Sequence, residues 1–162
     1  YLLDLSHPPG PDFRPINDTV MGGRSISRWR RTAAGIGIFE GVVSLANNGG
    51  FASVRAVVPD TDLSRFSGLS LRCAGDGKRY RLVLRNDRGM GGTNHMQDFD
   101  TRPGEWMDVV LPFAAFQASA RGYRPPNAPP VDPSRIRQVG FMIADGQEGP
   151  FRLEVQSIRG VD

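Results

Sequence analysis

Short segments in which apolar and polar residues alternate constrain this chain more than any other feature. "GLSLRC" places Leu69, Leu71 and Cys73 on one face and Ser70 and Arg72 on the other. "RYRLVLR" sets Tyr80, Leu82 and Leu84 against Arg79, Arg81 and Arg85. "QVGFMIAD" aligns Val139, Phe141 and Ile143, "PFRLEVQ" aligns Phe151, Leu153 and Val155, and "FASVRAVV" aligns Ala52, Val54, Ala56 and Val58. A period of two matches the pleat of a strand with one buried face. No segment carries a helical period beyond two turns; the best short helix candidate is "AAFQAS", residues 114–119. The 20 glycines and 13 prolines cut the chain into pieces of strand length. The fold is therefore predicted to be all-β, an antiparallel β-sandwich of the jelly-roll kind, with residues 1–162 in one domain.

The connections read as turns. "ANNGG" at residues 46–50 is a turn by composition, and "AGDGKR" predicts a hairpin around Asp76-Gly77. Residues 124–133, "RPPNAPPVDP", hold five prolines and predict a stiff surface loop. The single cysteine, Cys73, excludes an internal disulfide, and its leucine-lined face makes it a small core residue instead of a nucleophile. No apolar run approaches the roughly 18 residues of a membrane span. The chain starts at Tyr1 without Met, so any targeting signal is out of view and the compartment, cytoplasmic or exported, stays open.

Catalytic signatures are absent: no Gly-x-Ser-x-Gly elbow, no His-Glu-x-x-His pair, no phosphate loop and no dinucleotide fingerprint. His95 precedes Asp98 and Asp100, but on a strand it points away from both. No catalytic residue, metal or cofactor is expected. A net charge of +3 gives little reason to expect a nucleic-acid partner. The basic residues are nonetheless 19 Arg against one Lys, and arginine offers a planar fork suited to carboxylates and aromatic faces.

Two elements are candidates for function. In "PINDTVMGGRS", Asn17 and Asp18 can set a turn, Val20 and Met21 can pin it to the sandwich, and Gly22 and Gly23 supply backbone freedom. That element reads as chiefly structural, the alternative being direct contact with a partner. The second candidate is the set Arg55, Arg72, Arg79, Arg81 and Arg85, which alternate away from the apolar positions. If their strands are neighbours, they gather on one outer surface with Trp106 and Met142, centred on Arg55, Arg72 and Arg81. Otherwise they are scattered, or paired with Asp98, Asp100 and Glu154.

"NDTVMGGRS", "FEGVVSLANNGGFASVR", "GDGKRYRLVLR", "GEWMDVVLPF" and "VGFMIADGQEGPFRLEVQSI" occur in this order over residues 16–158. This series resembles the 30-kDa complex I intermediate-associated protein family, also called the NADH:ubiquinone oxidoreductase complex assembly factor 1 family. The resemblance implies a galactose-binding-domain-like β-sandwich. It also implies a role like that of the mitochondrial members, chaperones that help build respiratory complex I without joining the finished enzyme. The family includes bacterial members, and an arginine-rich chain suggests a GC-rich bacterial genome. The expected partner is a protein assembly intermediate. The alternatives are a carbohydrate or small-molecule ligand, for which Trp29 and Trp106 are the only tryptophans, and an enzyme using a sandwich cleft.

Overall fold

Strands form wherever the alternation runs. A computed structural model describes residues 1–17, 22–89, 92–119 and 128–162. In chain order the strands are β1 (Leu3–Asp4), β2 (Arg14–Pro15), β3 (Ile26–Arg31), β4 (Gly37–Val43), β5 (Ala52–Thr61) and β6 (Gly68–Ala74). They continue with β7 (Arg79–Arg85), β8 (Asn94–Asp100), β9 (Trp106–Pro112), β10 (Gln117–Ser119), β11 (Ile136–Ile143) and β12 (Gly149–Val161). Among the described residues there is no α-helix.

Two antiparallel sheets result. The first runs β3-β4-β12-β6-β9, and the second β10-β8-β7-β11-β5-β2. The 13-residue β12 pairs through its first half with β4 and through its second half with β1. The apolar faces read from the sequence on β5, β6, β7, β11 and β12 all enter one buried cluster between the sheets. Each large aliphatic or aromatic side chain taken from water there contributes on the order of 1.5–3 kcal/mol. Trp29 closes one end, its ring stacked 4.1 Å from Phe13 and 5.9 Å from Phe141.

Most connections cross between the sheets; only β3–β4 and β7–β8 follow one another as hairpins among the described strands. The hairpin expected at Asp76-Gly77 is one correction. β6 lies in the first sheet and β7 in the second, so the turn is an arch between layers. Gly77 takes φ +93° there. The Asp76 side chain holds the arch from both sides. Its Oδ1 accepts from Lys78 N at 3.2 Å and from Tyr80 Oη at 2.9 Å, while its Oδ2 accepts from Arg152 N on β12 at 2.9 Å. An Asp-Gly pair suits a hairpin or an arch equally well; bonds to another strand select the arch.

The short helix expected at residues 114–119 is also corrected. Phe113–Ala115 forms a single 3-10 turn, and Gln117–Ser119 then joins the second sheet beside β8. At residues 46–50 the expected turn forms, with Asn47 at φ 56° and Gly49 N donating to Ala46 O at 3.0 Å. Of the proline-rich loop, residues 128–133 are described, and Val131 is buried in the core.

Candidate functional site

The arch at Asp76 decides where the arginines go. Arg72 and Trp106 belong to the first sheet, with the guanidinium 5.7 Å from the indole and paired to Asp108 at 3.2 Å. Arg55, Arg79, Arg81, Arg85 and Met142 belong to the second sheet, on the opposite side of the molecule. Of the two arrangements the sequence left open, one gathered arginine surface or a scattered and paired set, the sheets give a divided set, because β6 and β7 are not neighbours.

Within the second sheet, register fixes the rows of the outer face. Arg55 on β5 stands opposite Gly140 on β11, which stands opposite Val83 on β7 and then Met96 on β8. The next row joins Ser53, Met142, Arg81 and Asp98. Most of the charge here is neutralised. Arg79 donates to Asp100 at 2.9 Å, and Arg81 donates to Asp98 at 2.8 Å and to Asp145 at 2.6 Å.

Arg55 differs. Among the described residues no carboxylate lies within ion-pair distance of it, and its bond is from Nη2 to Asn94 Oδ1, at 3.4 Å. Asn94 is on β8, two strands beyond the neighbour of β5, at roughly 4.8 Å per strand. The guanidinium spans the row at Gly140, where no side chain stands in its way. Arg85 Nη1 donates to the same Asn94 oxygen at 3.1 Å, so two cations converge on one neutral acceptor. Arg85 is 2% exposed and is paired with Asp87 at 3.1 Å. Burial, and then the charge on Arg85, lower the Arg55 pKa to about 10, which keeps it protonated at neutral pH.

The loop after β7 roofs one end of this face. Gln138, directed outward from β11 yet buried, donates through Nε2 to Asp87 O at 2.7 Å and to Gly89 O at 3.1 Å. Asn94, Asp87, Gln138 and Gly140 were not singled out from the sequence. The phase of Val139, Phe141 and Ile143 already turns Gln138 and Gly140 outward; the approach of Asp87 and Asn94 depends on the loop and on strand order.

Other sequence candidates are placed as follows. Asn17 Oδ1 accepts from Ser27 Oγ on β3 at 2.7 Å and from Ser53 N on β5 at 3.0 Å, tying one sheet to the other. Ser53 Oγ donates to Ile16 O. Gly22 takes φ +85° and Gly23 is buried, while Asp18, Val20 and Met21 lie outside the described residues. Cys73 is fully buried, and burial pushes its thiol up to about 12. His95 points into the interior while Asp98 and Asp100 point outward, as the strand phase requires.

The outer face of the first sheet carries a different arrangement. Glu40 accepts from Arg28 at 2.9 Å, Arg30 at 3.2 Å and Arg152 at 3.2 Å. Burial alone would raise this carboxyl, but the hydrogen bonds from Arg30 and Arg28 outweigh it and hold it below the ordinary range. Ile26 and Val42 stand exposed beside this network, over a shallow depression of about 590 Å³. Among the described residues no helix is long and apolar enough to cross a membrane.

Among solved structures, the fold is similar to the family 11 carbohydrate-binding module of a Clostridium thermocellum cellulosomal cellulase. The TM-score is 0.66 and the identity 17%, covering 95% of this chain and 91% of that one. In sequence, the chain is 29% identical to the uncharacterized protein C9E9.15 of Schizosaccharomyces pombe over 93% of this chain and 78% of that protein. It is 34% identical to the mouse mitochondrial complex I intermediate-associated protein 30 over 60% of this chain, a match spanning 31% of the mouse protein. Residues 5–155 match the family described as Complex I intermediate-associated protein 30. With the β-sandwich that the resemblance implied, this match places the chain: it belongs to the CIA30 family.

Proposed function

We propose that this chain is a non-catalytic interaction module that holds or shields a protein intermediate during assembly of respiratory complex I or a related complex, and that the outer face of the second sheet is its contact surface. The observation that carries this reading is Arg55, a half-buried cation with no carboxylate within ion-pair distance among the described residues, Asp87 acting on it only from farther away. Around it stand Val83, Met96, Met142 and Arg81. Arginine and methionine are enriched at protein interfaces, and a buried arginine flanked by apolar side chains is a frequent energetic anchor. Family membership supports a protein partner of this class.

Carbohydrate binding is the second reading, favoured by the likeness in fold to a carbohydrate-binding module. Against it, the outward positions of the second sheet carry no aromatic ring among the described residues, so no stacking platform for a sugar accompanies Arg55. Trp106 is on the first sheet, and Arg72 covers it. Affinity capture of the full chain from membranes of its native host, followed by mass spectrometry, tests the proposal. Recovery of respiratory complex subunits is the expected result. Saturable binding on a glycan array with no such subunits recovered would overturn it.

A further inference from the structure

Resting on that reading of the second sheet, we infer that Arg55 is the receptor for one carboxylate, the side chain of an acidic residue on the partner protein, which enters over Gly140 and takes up the guanidinium now bonded to Asn94. Three observations carry this. The Asn94 bond is long, 3.4 Å, and Asn94 Oδ1 already accepts from Arg85 at 3.1 Å, so Arg55 can leave it without stranding that oxygen. Gly140, on the central strand between Arg55 and Val83, puts no side chain at its own position in the row, so among the described residues an incoming group can meet the arginine from above that position. Finally, Asp98, Asp100 and Asp145 are engaged by Arg79 and Arg81, and Asp87 by Arg85, so the neighbouring carboxylates already have cations of their own.

Charge selects the ligand class. Among the described residues, Arg55 and Arg85 against Asp87 leave one positive charge in the cluster. A monoanion neutralises it, whereas a phosphate dianion would set surplus negative charge beside Asp87. A carboxylate also matches the planar fork, which a lysine cannot reproduce. The absence of an outward aromatic among the described residues of this sheet favours a protein side chain over an acidic sugar. Met96 and Met142, both partly exposed, supply apolar contact for residues flanking the acid.

The test pairs a small probe with capture. N-acetyl-glutamate N-methylamide is titrated into the folded protein while the Arg55 Nε–Hε resonance is followed by NMR, with the glutamine analogue and glucuronate as separate arms. A saturable shift with the glutamate compound, absent with the glutamine analogue, is expected. In capture from the native host, Arg55→Gln and Arg55→Lys are each expected to reduce recovered complex subunits about tenfold or more, the scale of one charge-assisted hydrogen bond. Arg72→Gln, on the other sheet, is expected to recover them like the parent. Unfolding midpoints of the Arg55 variants establish that they are folded. If the probe causes no shift and folded Arg55→Gln captures the same subunits as the parent, the inference is overturned while the assembly reading stands. A shift with glucuronate alone overturns it in favour of an acidic sugar. Failure of the parent itself to capture any subunit overturns the assembly reading, and a glutamate-specific shift would then still support Arg55 as a carboxylate receptor.

Discussion

Replacing Asp76 by alanine is expected to destabilise the protein far more than a turn substitution should. Asp76 sits where the chain passes from one sheet to the other, and its carboxylate accepts from Lys78 N, Tyr80 Oη and Arg152 N. Tyr80 is fully buried, and without Asp76 its hydroxyl loses the acceptor it donates to. An unsatisfied buried donor costs about 1–3 kcal/mol, and a hydrogen bond to a charged acceptor contributes about 1.5–3 kcal/mol. The Arg152 amide keeps a second contact with Tyr80 Oη at 3.2 Å, and the Lys78 bond is partly solvated, so the sum stays near 3 kcal/mol. For a chain of this size that lowers Tm by about 6–12 °C. Asp76→Asn preserves the Oδ1 acceptor but turns an amide donor toward Arg152 N, and is expected to cost roughly half as much. Urea unfolding followed by the fluorescence of Trp29, packed on Phe13 and Phe141, reports the loss. A double-mutant cycle with Tyr80→Phe should give a coupling of about 1 kcal/mol or more. A loss under about 1 kcal/mol, or strict additivity in the cycle, would mean that Asp76 serves only its own turn and does not hold the sheets together.

Three further outcomes are expected. Cys73, with its thiol raised to about 12 by burial, should resist a thiol reagent in the native protein and react once urea unfolds it; rapid native labelling would refute its placement in the core. His95 has its pKa lowered first by burial and then by the charge on Arg85, so the unfolded chain takes up a proton more readily than the folded one. Stability is therefore complete above the ordinary imidazole value of 6.5 and is lost as pH falls below it, and His95→Leu should flatten that slope in urea midpoints measured between pH 7.5 and 5. Asn17→Ala removes the acceptor of Ser53 N, while Ser27 Oγ keeps Ser53 O as acceptor at 3.0 Å, and should cost about 1–2 kcal/mol, with Asn17→Asp restoring most of it; equal unfolding midpoints for Asn17→Ala and the parent would refute the tie through Asn17.

Strands β5, β6, β7, β11 and β12 and their buried faces were legible in the sequence because a pleated backbone turns successive side chains to opposite sides, so alternation alone places Leu69, Tyr80, Phe141 and Val155 inside and Arg55, Arg72, Arg79 and Arg81 on the outer faces. The burial of Cys73 and the inward turn of His95 followed from the same local rule. What alternation cannot encode is which strand lies beside which. Pairing is a contact between residues far apart in the chain, and an Asp-Gly turn is compatible with a hairpin or with an arch. Tertiary bonds from Asp76 to Tyr80 and Arg152 select the arch, and that choice sends Arg72 and Arg81 to opposite sides of the molecule. The placement of Arg55 is likewise a tertiary fact. Its sequence neighbours say only that it points outward; strand order gives Arg79 and Arg81 their aspartates and leaves Arg55 facing Gly140, with Asn94 as its hydrogen-bond acceptor.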